Sequence, residues 1–405
     1  MDLLNMIERI AETGTAPKDG CSLFGVGYED AFERLQSVYL DRRFGRGGSA
    51  EKFVIGPFGS GKTHFLRQLM GLAREQGCVT AEVSLNRDID FVQSLIVYRE
   101  VAREIRPPGS ELTGIGPLLD AALERVRAQA PTPEAIEPLV HGWVSALDGH
   151  PLKHDGFARM VRRALEARLR DDEVTFDACC RWLGGEVQDR TLAKELSVTV
   201  VAKAEQNIFA RLATLSLFQF IRFARFPGTV ITFDEAEQGL QVDKRRMQRI
   251  LSMLQSDINA IADLEDGSAL IVYALTPDIV EQMERFGALA QRVADPGPGS
   301  GFFDGNTRAP KIDLRRRGEP AQELALMGRQ LAEVLYERAS PPPPIPKDAV
   351  LERIESLAGE VATDDPSTSS RRTMMKRTAN MLMRVVEEGV LEERPATPAG
   401  PEDEV

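Results

Sequence analysis

The sequence predicts an α/β protein in which a central parallel sheet carries a large helical insertion and is followed by a helical C-terminal lid. Short apolar runs typical of buried strands alternate with helical patterns in two parts of the chain. Between them, residues 88–226 show almost no strand signal, and beyond Gly318 the pattern is helical again. The 405 residues, 42% of them hydrophobic, suffice for two or three domains with a sizeable core.

The composition excludes several classes of protein. No apolar run approaches the roughly 20 residues that cross a bilayer, and the N-terminus lacks the basic region of a signal peptide. Four scattered cysteines predict neither a disulfide framework nor a zinc site, which favours a reducing cytoplasm. The net charge of -12 repels nucleic acid overall, so a contact with DNA requires a local basic patch or a partner.

Residues 1–50 are expected to form a helical N-terminal segment that leads into the sheet. Leucine and isoleucine at helical spacing predict a short helix within residues 1–20, and a second helix passes through Phe32 and Tyr39. The glycine-rich residues 45–49 form a flexible link to the first strand.

The first strand leads into a phosphate-binding motif, because residues 56–63 match G-x-x-x-x-G-K-[ST]. Glycines let successive backbone N–H groups point at one anion, and the helix that follows adds its positive N-terminal end. Lys62 is expected between the β- and γ-phosphates, and the Thr63 hydroxyl on Mg²⁺. The sequence therefore predicts binding of ATP with Mg²⁺. The expected nucleotide contacts here are Gly56, Pro57, Phe58, Gly59, Ser60, Gly61, Lys62, Thr63 and His64.

A second strand at residues 78–85 precedes the helical block. Helical spacing predicts that this block, residues 88–226, is an insertion between two strands of one sheet. Its last predicted helix, residues 193–226, carries large apolar side chains that are expected to pack in a core.

The strand signal returns at residues 228–235, where sheet-forming residues end in two consecutive acids. Asp234 is expected to bind Mg²⁺ through water, and Glu235 to polarise the attacking water. An Asp-Glu pair that caps the next helix is the alternative interpretation.

The remainder of the predicted ATPase core, which spans residues 51–318, contains a helix at residues 244–262 and two more strands. The strand at residues 268–275 ends at Thr276, which either senses the γ-phosphate or terminates the strand before proline. Residues 311–314 are the fifth predicted strand.

Helical patterns at residues 320–338, 348–360 and 371–388 predict a helical lid over residues 319–392. The last residues, 393–405, are rich in proline and acid and are expected to be disordered.

The order of these parts resembles that of an AAA+ ATPase over residues 20–392. The resemblance implies an arginine from a neighbouring subunit at the γ-phosphate, and both Arg292 and Arg308 qualify. It also implies a lid arginine, for which Arg372 is the first choice and Arg371 the alternative.

Three segments, residues 53–67, 81–85 and 233–237, resemble the BREX-system ATP-binding family of the BrxC/BrxD type. The size of the chain and its C-terminal Arg-x-Met-Met-Lys look more like the short BrxD type. The resemblance implies a cytoplasmic ATPase of anti-phage defence that acts with other defence-system proteins near DNA. It also implies an adenine-side contact at Gly27, although Tyr28 stands where related ATPases often have arginine.

The function expected from the sequence is ATP hydrolysis by a homo-oligomer that acts on double-stranded DNA or on a DNA-modifying complex. One alternative is a DNA-loading AAA+ regulator of the transposition or replication-initiator kind, although the residues after Glu388 are too few for a winged helix. Another is a nucleotide switch without turnover, against which the intact Lys62, Asp234 and Glu235 argue.

Overall fold

The computed structural model describes residues 3–15, 28–85, 93–235, 244–294, 301–314, 320–364 and 370–391. The chain divides into two compact units. The unit called the terminal unit here consists of Met1–Glu29, Pro57–Gly71 and Leu314–Val405, and the sheet unit consists of Asp30–Gly56 and Leu72–Asp313. The tail at residues 393–405, predicted to be disordered, lies outside the described residues.

The sheet unit contains a five-stranded sheet in which all described pairings are parallel. The strands are β1 (Ala50–Ile55), β2 (Val79–Ser84), β3 (Thr229–Asp234), β4 (Ala269–Leu275) and β5 (Lys311–Asp313). Their order in the sheet is β2-β3-β4-β1-β5. Every residue of β3 and β4 is buried, because helices cover both faces of such a sheet. The predicted parallel sheet is confirmed.

The carboxyl ends of three strands meet at one edge of this sheet. Ile55 of β1 pairs with Leu275 of β4, and the N–H of Gly56 donates to the Leu275 carbonyl at 3.1 Å. β3 pairs with β4 on its other side, so β4 separates the ends of β1 and β3. Parallel sheets of this kind bind ligands outside the carboxyl ends of their strands.

Helices account for most of the rest of the described chain. They are Leu3–Thr13, Glu29–Arg34, the π-helical Leu35–Arg43, Lys62–Glu75, Ser94–Glu104, Ile115–Arg127, Ile136–Ala146, Asp155–Leu169, Glu173–Leu183, Arg190–Glu195, Gln206–Phe223, Lys244–Ala262, Pro277–Arg285, Gly287–Val293, Pro320–Arg338, Lys347–Asp364 and Ser370–Glu387, with short 3₁₀ turns at Pro133–Ala135, Leu147–Gly149, Lys203–Glu205 and Phe302–Asp304.

The segment between β2 and β3 is helical, as predicted. Its described residues form helices and, apart from these, one isolated bridge between Thr80 and Arg106. The single helix predicted at residues 193–226 is wrong, since two helices, Arg190–Glu195 and Gln206–Phe223, occupy this stretch. The first of them ends before Ser197, whose left-handed backbone (φ 55°) cannot continue an α-helix.

The sheet unit has two hydrophobic cores. One lies among the insertion helices and includes Leu165 and Phe220, and the other lies on the sheet and includes Phe53 and Ile271. Helix Gln206–Phe223 contributes to both. Burial of each large apolar side chain contributes about 1.5–3 kcal/mol, so this shared helix holds the insertion on the sheet.

The terminal unit has a third core, in which the first helix packs with the C-terminal helices. Ile7 and Ile10 of helix Leu3–Thr13 are fully buried in this core. Gly14 ends that helix in a left-handed conformation (φ 70°), and a Cβ atom there would lie 2.5 Å from Cγ of Arg372. Glycine is required at this close approach. No described helix is long and apolar enough to cross a membrane.

Candidate nucleotide-binding site

The glycine-rich loop of the terminal unit curls through two left-handed glycines, Gly59 (φ 79°) and Gly61 (φ 90°). Other residues adopt this conformation only with strain. The N–H of Ser60 donates to the Pro57 carbonyl at 3.2 Å, and the N–H of Phe65 donates to the Gly61 carbonyl at 2.9 Å, within helix Lys62–Glu75. Glycine therefore occupies both positions of this loop, 59 and 61, where the backbone is left-handed.

Lys62 folds back over this loop. Its side chain is only 7% exposed, and its Nζ donates to the Pro57 carbonyl at 3.3 Å. The same Nζ lies 5.2 Å from the ring centroid of Phe58, which is itself 65% exposed. A buried ammonium beside a helix N-terminus favours an anionic ligand.

Arg371 brings a second cation to the loop. Its Nη1 donates to the Ser60 carbonyl, and its Nη2 forms an ion pair with Glu323. Nε of Arg371 and Oγ of Ser60 are buried without a hydrogen-bond partner among the described residues. Buried polar atoms are rarely left unpaired. Two cations and two unused polar atoms at a left-handed glycine loop fit the phosphate groups of a nucleotide.

Arg371 and Arg372 are consecutive residues of helix Ser370–Glu387, and their side chains contact different parts of the terminal unit. Consecutive residues of a helix are rotated by roughly 100°, so Arg371 and Arg372 cannot both face the loop. Arg372 is exposed, and its Nε donates to the Thr13 carbonyl at 3.0 Å. Of the two candidates, the alternative choice, Arg371, therefore contacts the glycine loop, whereas Arg372 contacts the end of the first helix.

The helix after the loop contains two further predicted contacts, Thr63 and His64, both partly buried. Burial, assisted by the charge of Arg67, lowers the pKa of His64 to about 4. The imidazole is consequently neutral at physiological pH and adds no positive charge to the loop. The predicted adenine-side residue, Gly27, lies outside the described residues. Its neighbour Tyr28 packs its ring edge-to-face on Phe65, with the centroids 5.5 Å apart.

In the sheet unit, Asp234 and Glu235 occupy the carboxyl end of β3. Asp234 is 6% exposed, and its Oδ1 accepts a hydrogen bond from the Glu235 N–H at 2.9 Å. Glu235 is exposed and has a left-handed backbone (φ 53°), which is uncommon for residues other than glycine. Such strain costs about 1–3 kcal/mol and is concentrated at functional sites.

Thr276 follows β4 at the same edge of the sheet and is 4% exposed. It precedes helix Pro277–Arg285, but its side chain accepts no hydrogen bond from that helix. Neighbouring strands lie about 4.8 Å apart, so Thr276 sits between the ends of β1 and β3. The hydroxyl is therefore not used as a cap of that helix, and the sensor role of Thr276 stays a prediction.

The two candidates for the arginine that acts on a neighbouring subunit differ in what the structure describes. Arg308 is exposed and precedes β5, which runs parallel to β1. It therefore lies at the amino edge of the sheet, opposite to Asp234 and Glu235. Arg292 belongs to helix Gly287–Val293, and its side chain lies outside the described part of the structure.

The sequence analysis did not identify Glu323, which contacts the arginine at the glycine loop. It lies on helix Pro320–Arg338 and pairs with the guanidinium of Arg371. Both its acidic type and its position are ordinary for an exposed helix face. No local signal could have identified it, because the pairing depends on how two helices pack.

The five-stranded parallel sheet, together with the sequence of the glycine loop, is consistent with the P-loop class of nucleotide-binding proteins. The model of the family described as BREX system ATP-binding protein BrxC/D matches residues 4–394 of the chain. The chain belongs to this family, and the predicted resemblance is confirmed. It is an ATP-binding protein of a defence system. Comparisons with curated proteins and with solved structures found no match.

Proposed function

We propose that this protein binds ATP with Mg²⁺ and hydrolyses it, and that hydrolysis drives changes of assembly and of contact with DNA or a DNA-modifying complex. The observation that most supports hydrolysable triphosphate as the ligand is the pair of buried cations, Lys62 and Arg371, at one glycine loop. A single cation would suffice to bind an anion with less charge than a triphosphate.

The proposed binding roles follow from the chemistry of each side chain. The ammonium of Lys62 neutralises the β- and γ-phosphates, and the backbone N–H groups of residues 59–63 donate to phosphate oxygens. The Thr63 hydroxyl and the Asp234 carboxylate supply hard oxygen ligands for Mg²⁺. The bound ion would neutralise charge that develops on the phosphates during hydrolysis.

The proposed catalytic role of Glu235 is to orient the attacking water and to accept its proton. Asp234 is held by a backbone N–H while Glu235 extends into solvent, so the two adjacent carboxylates can have separate tasks. Thr276 is proposed to contact the γ-phosphate or the water through its hydroxyl.

We further propose that the helices at residues 319–392 act as a lid through Arg371. In the described contacts, its guanidinium is shared between the Ser60 carbonyl and Glu323. A γ-phosphate competes with the Glu323 carboxylate for the same donors, because both are anionic acceptors. Loss of that phosphate on hydrolysis would return Arg371 to Glu323 and alter the packing of the lid.

Assembly is proposed because hydrolysis in such proteins gains from an arginine supplied by another subunit. Such a residue contributes about 10³–10⁵ in rate. Arg308 lies at the amino edge of its own sheet, a position that suits action on a neighbouring nucleotide. Arg292 remains the other proposed residue. Homo-oligomers, other defence-system proteins and double-stranded DNA are the proposed partners.

The test is to measure ATP binding, ATP hydrolysis and mass in solution for the purified full chain, with and without duplex DNA. We expect Mg²⁺-dependent turnover and an ATP-induced increase in mass, both lost in Lys62→Ala. Unaltered ATP affinity in a folded Lys62→Ala protein would contradict the proposed site. Tight ATP binding without turnover in any assembly would instead support a nucleotide switch.

A further inference from the structure

A cleft lies in the sheet unit, between two insertion helices, Ile115–Arg127 and Ile136–Ala146, and the end of Gln206–Phe223. Its volume is about 610 Å³, within the usual range of small-ligand sites. Arg225 precedes β3 and Asp266 precedes β4, so the cleft opens at the amino edge of the sheet. Its aromatic and charged lining side chains are Trp143, His150, Arg222, Phe223, Arg225 and Asp266.

One wall of the cleft is aromatic. Trp143 stacks on Phe223, with ring centroids 5.3 Å apart and an interplanar angle of 22°. The indole N–H donates to the Phe223 carbonyl at 3.4 Å, which fixes the orientation of the ring. The centroid of His150 lies 4.7 Å from that of Phe223. Burial lowers the pKa of His150, although Asp266 opposes the shift, so this ring is neutral at physiological pH.

The two arginines of the cleft differ in how their guanidinium groups are used. Arg222 donates to the carbonyls of Phe226 (3.0 Å) and Pro227 (2.9 Å), so it stabilises the turn before β3. Arg225 is exposed, and its guanidinium has no hydrogen bond or ion pair with the described residues. The carbonyl of Arg225 accepts a hydrogen bond from Nε of Arg125 at 2.8 Å, which anchors its backbone.

Backbone strain coincides with the polar rim of the cleft. Arg225 (φ 68°) and Asp266 (φ 52°) both have the left-handed conformation that residues other than glycine seldom adopt. Backbone strain of this kind is concentrated at functional sites. The rim therefore presents one cation that is unpaired among the described residues, and one carboxylate, next to an aromatic face.

We propose that this cleft binds a nucleobase together with its phosphate, either as a free nucleotide or as an unstacked base of single-stranded nucleic acid. Trp143 stacks on the base, Arg225 binds the phosphate, and Asp266 accepts hydrogen bonds from the N–H groups of the base. Aromatic stacking combined with arginine contacts is the general mode by which proteins bind unpaired bases. The inference is independent of ATP hydrolysis at the glycine loop.

The test uses the fluorescence of Trp143. The chain contains two tryptophans, and the other, Trp182, is buried with an indole N–H that has no hydrogen-bond partner among the described residues. Trp182→Phe removes that donor and leaves Trp143 as the reporter. This variant is titrated with a short oligothymidylate and with thymidine monophosphate, each without ATP, and both titrations are repeated with Lys62→Ala added to remove nucleotide binding at the glycine loop. We expect saturable quenching, since a stacked base alters indole emission.

Two variants test the residues that bind. Arg225→Asn removes the cation but keeps a residue that tolerates the left-handed backbone, and should weaken binding about tenfold. Trp143→Leu, followed by the polarisation of a labelled oligothymidylate, should weaken binding about tenfold or more. Arg225→Lys should restore most of the affinity. Arg159→Gln removes an equal charge from an exposed helix position of the same insertion and should leave affinity unchanged.

The outcomes separate the sources of the ligand. Equal affinity for both probes assigns the cleft to free nucleotides, and binding of the oligothymidylate alone assigns it to single strands. Absence of quenching by either probe would overturn the proposal, as would unchanged affinity in folded Arg225→Asn and Trp143→Leu. Equal binding of a DNA duplex would also overturn it, because paired bases offer no free face. Quenching that disappears when Lys62→Ala is added would also overturn the proposal, because the probe would then be bound at the glycine loop.

Discussion

The two edges of the sheet carry different kinds of site. At the carboxyl edge, Asp234 and Glu235 are consecutive residues, and one strand end positions both of them. At the amino edge, the cleft collects Trp143, Arg225 and Asp266 from three separate segments. Both edges contain strained left-handed residues. The comparison teaches that a site formed by consecutive residues can be recognised as a sequence motif. A site formed by residues from separate helices and turns cannot.

A third polar region consists of Glu51 on β1 and Asp257 on helix Lys244–Ala262, whose charges interact. Both carboxyl oxygens of Glu51 are buried without a hydrogen-bond partner among the described residues. Burial, with the nearby Asp257 charge, raises its pKa well above the usual range. Burial also raises the pKa of Asp257 to about 6, although Arg211 opposes the shift. Burying these carboxyl groups in their charged form lowers the free energy of unfolding.

The largest expected effect belongs to the carboxyl edge. Glu235→Gln should lower kcat for ATP hydrolysis by about 10²–10⁴, because the amide cannot accept the proton of the attacking water. The affinity for ATP should remain close to that of the unaltered protein, since Glu235 is not proposed to bind the nucleotide. Turnover and ATP binding are measured on the same preparation. Undiminished turnover in Glu235→Gln would remove this residue from catalysis.

The next effect tests whether two consecutive residues of one helix, Arg371 and Arg372, contribute differently to stability. Arg371→Ala should lower the free energy of unfolding of the chain by about 1–3 kcal/mol, because a buried guanidinium leaves the Ser60 carbonyl and Glu323. Arg372→Ala, the matched control, should change it by about 0.5 kcal/mol or less, since this side chain is exposed. Denaturant unfolding of both variants checks the difference. Equal effects would contradict the separate placement of the two arginines.

The smallest effect concerns the buried acids of the third polar region. The folded-state pKa of Asp257, about 6, exceeds its ordinary value of 3.8. Its contribution to stability is therefore fully present below about pH 4 and is lost as the pH rises through about 6. Asp257→Asn should raise the free energy of unfolding by about 1–2 kcal/mol at pH 8, with the gain disappearing towards pH 4.

The control for this prediction is Asp263→Asn, which alters an exposed aspartate just after the same helix. Chemical unfolding of the unaltered protein and both variants is followed across the pH range. A gain of Asp257→Asn that is the same at low and high pH would show that its cause is packing and not ionisation.

Much of the local structure was predictable from the sequence. Helices Lys244–Ala262 and Pro320–Arg338 have the predicted bounds, and the predicted five strands occur within one or two residues of their expected ends. These elements depend on apolar periodicity and on backbone hydrogen bonds between near neighbours, which a short stretch of chain contains. The stretch at residues 193–226 was misread because apolar spacing alone does not reveal the turn at Ser197.

The sequence by itself determined the strand segments, the glycine loop with Lys62 and the acidic pair after β3, because each depends on residues close together in the chain. Only the tertiary structure decided that β4 lies between β1 and β3, that Arg371 rather than Arg372 contacts Ser60, and that Trp143 and Arg225 line one cleft. The physical reason is the sequence separation of the residues that interact. Strand order and side-chain pairing depend on burial and contact between segments distant in sequence, and no local pattern carries that information.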